Sequence, residues 1–116
     1  MQSTQITLHN VRRSPALSAR IRELAERLET HNPHILNIRV AVSHEAAPPK
    51  KGGPYAVTLR VRIPGQELVA SHESDADVYE AVRESFLAMR HQLIRAAEEA
   101  REALIAARGS ATEVPS

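Results

Sequence analysis

The sequence predicts an α+β domain in the order β-α-β-β-β-α, a four-stranded sheet with two helices packed on one face. Three observations predict it. Four short segments, Gln5 to Leu8, Leu36 to Ser43, Tyr55 to Ile63 and Gln66 to about Ser71, alternate apolar and polar residues with the period of two of a half-buried strand. Two longer segments, Pro15 to about His31 and Ser74-Asp75 to Arg108, repeat apolar residues every three or four positions, the period of an amphipathic helix. Between them stand breakers: Asn32-Pro33, the Pro- and Gly-rich stretch His44 to Pro54, and Pro64-Gly65.

Each element has a local cause. In the first strand Ile6 and Leu8 share one face and Gln5 and Thr7 the other. Ser14 is placed to cap the first helix, and Pro15 suits its first position, where the missing N–H removes no helical bond. Leu17, Ile21, Leu24 and Leu28 form that helix's apolar stripe, and Asn32-Pro33 ends it because the residue before a proline avoids helical dihedrals. The second strand turns Ile38, Val40 and Val42 inward and Asn37, Arg39 and Ala41 outward. The third does the same with Tyr55, Val57, Leu59, Val61 and Ile63 against Ala56, Thr58, Arg60 and Arg62. Pro64-Gly65 suits a type II turn, so the fourth strand pairs antiparallel with the third and turns Leu68 and Ala70 to the core.

The last helix opens on a Ser74-x-x-Asp77 arrangement with early acids that oppose the positive end of the helix dipole. Its stripe is Val78, Val82, Phe86, Met89, Leu93, Ala96 or Ala97, Ala100 and Leu104. Ending at Arg108 before Gly109, it is about 50 Å long at 1.5 Å per residue, whereas the strands cover only about 30 Å. Residues 1–108 are therefore one domain whose last helix overhangs the sheet, and 109–116 are expected to be a disordered tail.

Composition narrows the function. One Phe, two Tyr and no Trp exclude aromatic stacking on single-stranded bases as the main mode of action. With no cysteine there is no thiolate nucleophile and no thiolate-held zinc. The six histidines, His31, His34 and His44 among them, show no spacing that converges on a metal. Asp75 and Asp77 read as helix-start residues rather than paired catalytic carboxylates. No nucleophile-base pair, phosphate loop or cofactor motif is visible, so neither an enzyme nor a small-molecule substrate is expected. The N-terminus lacks a basic n-region and an apolar h-region, and no run of about 18 apolar residues occurs, so the chain reads as cytoplasmic with no membrane partner. Net charge is only +1, yet residues 1–95 carry an excess of cations and residues 96–116 an excess of acids.

The order of short motifs resembles the ribosome hibernation-promoting factor and ribosome-associated inhibitor family, also called the sigma-54 modulation family, over about residues 4–95. The residues that carry the resemblance are Gln5-Ile6-Thr7 with Asn10, Ala16-Leu17, Asn37, the strand-turn-strand Leu59 to Leu68, and Asp77-Val78-Tyr79-Glu80-Ala81-Val82. The resemblance implies a β-α-β-β-β-α domain, similar to double-stranded RNA-binding domains, that lodges in the mRNA and tRNA channel of the small ribosomal subunit and blocks translation under stress. Its partner would be ribosomal RNA, held through phosphates rather than read by sequence. The family's long members add a linker and a C-terminal dimerisation domain, which these 116 residues do not contain, so ribosome pairing of that kind is not expected. Where the family's last helix is typically Lys-rich, this chain has Ala88, Ala97 and Glu99, with His91 for a frequent Arg; Arg95 keeps a family position.

The candidate RNA-binding residues are Arg22, Arg27, Arg39, Lys50, Lys51, Arg60, Arg62, Arg90 and Arg95. Arg39, Arg60 and Arg62 form either a phosphate-binding row or the ordinary solvated face of an antiparallel sheet. Arg22 and Arg27 with Arg90 and Arg95 form either a basic strip or one side of a salt-bridged helix surface, since Glu23, Glu26, Glu29 and Glu98 lie near in sequence. Lys50-Lys51 and Arg12-Arg13 sit in loops that can close on RNA. A second class of function remains: a protein-interaction module in which Ala96 to Arg108, with Leu104 and Ile105, joins two copies of the chain through the last helix.

Overall fold

A computed structural model describes residues 4–44, 54–74 and 77–113, the last five by backbone alone. The element order is β1 (Thr4–His9), α1 (Pro15–His31), β2 (Asn37–His44), β3 (Tyr55–Ile63), β4 (Gln66–Ser74) and α2 (Val78–Glu113), the α+β arrangement expected. The strands lie side by side in the order β1-β2-β3-β4. β1 and β2 are parallel, because α1 carries the chain back across the sheet between them, and the other two pairings are antiparallel.

Ser14 adopts an extended conformation and its Oγ accepts from the Leu17 N–H at 3.2 Å, with Pro15 in the first turn. At the far end the Asn32 side chain donates to the Leu28 carbonyl at 2.9 Å and its N–H to that of Glu29. Asn10, at φ 57°, turns the chain out of β1; asparagine tolerates that left-handed conformation better than most residues. Gly65, at φ 90°, takes the turn position where a side chain would be strained.

The inward residues of β2 and β3, save Tyr55, which is half-buried and stacks on His44 at 4.2 Å between ring centroids, meet Leu17, Ile21, Ala25 and Leu28 of α1 and Val82, Phe86, Met89 and Leu93 of α2 in one buried core. Ser85, the buried polar residue among those described, shares its one hydroxyl proton between the carbonyls of Ala81 at 2.8 Å and Val57 at 3.4 Å, the second of which ties α2 to β3. Leu24, expected in the core stripe, is only half-buried and lines the groove between the helices; Ala25 takes the buried position.

Three boundaries differ from expectation by more than one residue. β4 continues past Ser71 to Ser74, because β3 starts at Tyr55 and supplies a partner for every residue to the pair Tyr55 and Ser74. Ser74 is therefore strand, and α2 opens at Val78 with Asp77 as its cap: the Asp77 carboxylate accepts from the Tyr79 N–H at 2.9 Å. At its other end α2 does not stop before Gly109 but runs to Glu113. Its 36 residues span about 54 Å. Burial on α2 ends at Ala96, and every residue from Ala97 to Arg108 is exposed, as expected of an overhang. Residues 45–53, Lys50 and Lys51 among them, and Asp75 lie outside the described residues.

Candidate nucleic-acid interface

The open face of the sheet is built by the outward residues in register. Across the strands the first row is Asn37, Arg62 and Glu67, and the next is Gln5, Arg39, Arg60 and Val69. A row of small residues follows, Thr7, Ala41, Thr58 and Ser71, with Thr58 and Ser71 hydroxyls 3.3 Å apart. The last row is His9, Ser43, Ala56 and Glu73. Arg39, Arg60 and Arg62 are all exposed and collect at the end of the sheet where β2 begins and β3 ends. Arg39 and Arg60 are direct cross-strand partners. Like charges on directly opposite residues, whose Cβ atoms are about 5 Å apart, repel, a cost that a docked anion would remove. One carboxylate stands against them, Glu67, 3.4 Å from Arg60 across solvent-exposed surface. The patch therefore keeps a positive surplus beside a flat surface of small side chains.

A second basic surface lies on the other side of the molecule. Between the helices runs a groove of about 260 Å³ whose apolar floor is Leu24, Leu28, Phe86 and Leu87, and whose rim carries Arg27, Arg83, Arg90 and His31. Arg27 is tied to Glu23 at 3.2 Å, and Arg83 reaches Glu84 only at 3.7 Å. Arg90 has no ion-pair partner among the described residues. Glu23 is shared: its hydrogen bond from Arg20, the charge of Arg20 and then that of Arg27 hold its carboxyl below the usual carboxylate range. It stays ionised and partly neutralises Arg27.

Of the cations singled out in the sequence, the structure brings together Arg39, Arg60 and Arg62 on the sheet, and Arg27 and Arg90 between the helices. Arg22 is not part of that strip; it lies with Arg13 beside β1. Arg95 lies just before the overhang, near Glu98, Glu99, Arg101 and Glu102, so that acids surround its charge. Sequence reasoning missed Arg83 and His31. The signal was present, since Arg83 is seven residues before Arg90 and His31 four after Arg27, spacings that put each pair on one helix face. Among the described residues no group of three His, Asp or Glu side chains is placed to hold a metal ion, and no helix is long and apolar enough to cross a membrane.

Known proteins agree with this geometry. A ribosomal subunit interface protein from Coxiella burnetii is similar at 25% identity, with a TM-score of 0.72 over 84% of this chain and 99% of that one. The N-terminal domain of Thermus thermophilus Protein Y shares the fold at 19% identity and a TM-score of 0.68, over 82% of this chain and 98% of that one. No curated protein matches the sequence. The family model described as sigma 54 modulation protein / S30EA ribosomal protein matches residues 4–101, from the first residue of β1 to just beyond the last buried turn of α2. With motif order, sheet topology and family model in agreement over that span, the chain belongs to the sigma 54 modulation / S30EA ribosomal protein family.

Proposed function

We propose that this chain binds the small ribosomal subunit through ribosomal RNA phosphates and thereby inhibits translation, keeping idle ribosomes inactive under stress. The observation that carries the reading is a thin body with cations on both broad surfaces. The backbone extents are 73 × 27 × 16 Å, with Arg39, Arg60 and Arg62 on the sheet side and Arg27, Arg83 and Arg90 on the helix side. Such a plate suits a cleft walled by RNA on two sides. Guanidinium groups present a planar fork that matches phosphate oxygens, and contacts of that kind position a protein without reading sequence. Family membership and the likeness to a ribosomal subunit interface protein support the same partner. On this reading the chain acts in the cytoplasm by occupancy, without catalysis or a cofactor. Lys50 and Lys51 add further cations, and Arg95, which has acids near it, and the outlying Arg22 contribute less. In a cell-free translation reaction limited by ribosomes, added protein should lower product yield until it is stoichiometric with them. Unchanged yield at large molar excess would contradict the proposal.

One observation favours a second reading. On the overhang Leu104 and Ile105 are 54% and 61% exposed, and Glu98, Arg101 and Glu102 precede them on the same stretch of helix. An antiparallel copy of the same helix would cover the apolar residues and set arginines against glutamates. On this reading the chain forms a dimer that deletion of residues 97–116 converts to a monomer by light scattering. Ala96 is the last buried residue among those described, so the core survives the truncation. A full chain that is already monomeric, or a truncated chain that stays dimeric, would exclude the pairing.

A further inference from the structure

We propose that the groove between edge strand β1 and helix α1 receives an extended, acidic peptide segment of a partner protein, which adds to the sheet as a fifth strand. β1 is hydrogen-bonded to β2 on one side only. Along its free side backbone groups of alternate residues point outward, and among the described residues no other backbone bonds to them.

The two edges of the sheet are treated differently. At β4 the side chain of Gln92 reaches from α2 to the Val69 carbonyl at 2.6 Å, and Glu67 and Glu73 stand exposed along the strand. Such coverage and charge are the usual means by which a sheet edge is kept from pairing with another chain. β1 has neither. Its sequence, TQITLH, holds no Lys, Arg, Asp, Glu or Pro, and its register with β2 runs unbroken from Thr4 to His9 with no bulge.

Beside this open edge lies a groove of about 500 Å³ with an apolar floor of Ile6, Leu8, Val11 and Pro15, flanked by Arg13 and Arg22. Ile6 and Leu8 are only half-buried, so α1 leaves room over them. Arg13 and Arg22 are exposed and have no ion-pair partner among the described residues. In an added strand alternate side chains face the groove, so an apolar residue covers Ile6 and Leu8 while carboxylates reach the two guanidinium groups. The backbone ladder supplies affinity and the groove supplies selectivity. Charge selects the occupant: a second copy paired β1 to β1 would bring its own Arg13 and Arg22 to the same place. RNA would satisfy the arginines but leave the edge amides and carbonyls of β1 unpaired. The groove shares no cation with the sheet patch or the interhelical rim, so this inference does not rest on the main ribosome contacts proposed above.

The test is a titration of the isotope-labelled full chain with a short capped peptide in which every second residue is valine or glutamate in turn, with threonine between them, so that valine and glutamate share the face turned to the groove. It is run beside the same peptide carrying lysine for glutamate and an oligouridine of similar length. The expected result is saturable amide shifts confined to Thr4–His9, Val11 and Ser18, with slowed exchange of the outward β1 amides. R13E/R22E, both at exposed positions, should keep the fold by circular dichroism, weaken the acidic peptide by about tenfold or more and gain affinity for the lysine peptide. Shifts mapping elsewhere, equal binding of the two peptides, no saturation at about millimolar peptide, or β1 shifts produced by oligouridine alone would each overturn the proposal.

Discussion

Reversing the arginine patch on the open sheet face, with Arg39→Glu, Arg60→Glu and Arg62→Glu together, is expected to lower ribosome affinity by about a hundredfold or more, since charge-assisted contacts contribute about 1.5 to 3 kcal/mol each. The slope of log affinity against log salt should also become shallower by about 2 to 3, because each phosphate contact releases roughly 0.7 to 0.9 of a counterion. The effect is separable from folding. All three side chains are exposed, and the substitutions leave the inward faces of β2 and β3 unchanged. The one ion pair lost, Arg60 with Glu67, is solvent-exposed and contributes little. Replacement of the three by lysine is the informative companion, because it keeps the charge and removes the fork. Partial loss with an unchanged salt slope would show that bidentate geometry matters. Unaltered affinity of the glutamate variant would move the RNA contact to the interhelical rim of Arg27, Arg83 and Arg90.

The largest effect on stability is expected from Leu59→Ala. Leu59 is 0% exposed at the middle of β3, where its cross-strand partners are Val40 and Ala70. β3 is an inner strand, and α2 is fastened to it through the Ser85 hydroxyl and the Val57 carbonyl. The cavity left beneath the helices cannot close without moving both layers. A loss of about 2 to 5 kcal/mol follows, a large part of the roughly 5 to 15 kcal/mol that holds a domain of this size. In urea denaturation the midpoint should fall with little change in slope, and the melting temperature should drop by about 10 to 20 °C. A loss under about 1 kcal/mol would mean that the helix layer is not packed on β3 as described.

Much of the fold was legible because its signals are local. Period-two alternation marked all four strands, Ser14-Pro15 and Asn32-Pro33 bracketed α1, and Gly65 has the positive φ that its turn requires. The boundaries that differed depend on neighbours in space. β4 reaches Ser74 because β3 offers partners as far as Tyr55, which no window of β4's own sequence reveals. Gly109 does not end α2, since one glycine costs a helix only about 1 kcal/mol amid alanine-rich neighbours that favour it. The interface was legible in part. Arg39, Arg60 and Arg62 follow from strand parity, and their clustering from register. Placing Arg22 apart from Arg27 required knowing how α1 lies against β1 and α2, and joining Arg83 to Arg27 required the helix pairing itself.

The most direct test of the central claim is to pellet purified small ribosomal subunits through sucrose with this protein over a series of salt concentrations. Phosphate contact from both surfaces predicts co-sedimentation at low salt that falls steeply and log-linearly as salt rises, with a slope set by several contacts. Absence from the pellet at every salt concentration, or binding that salt leaves unchanged, would contradict it.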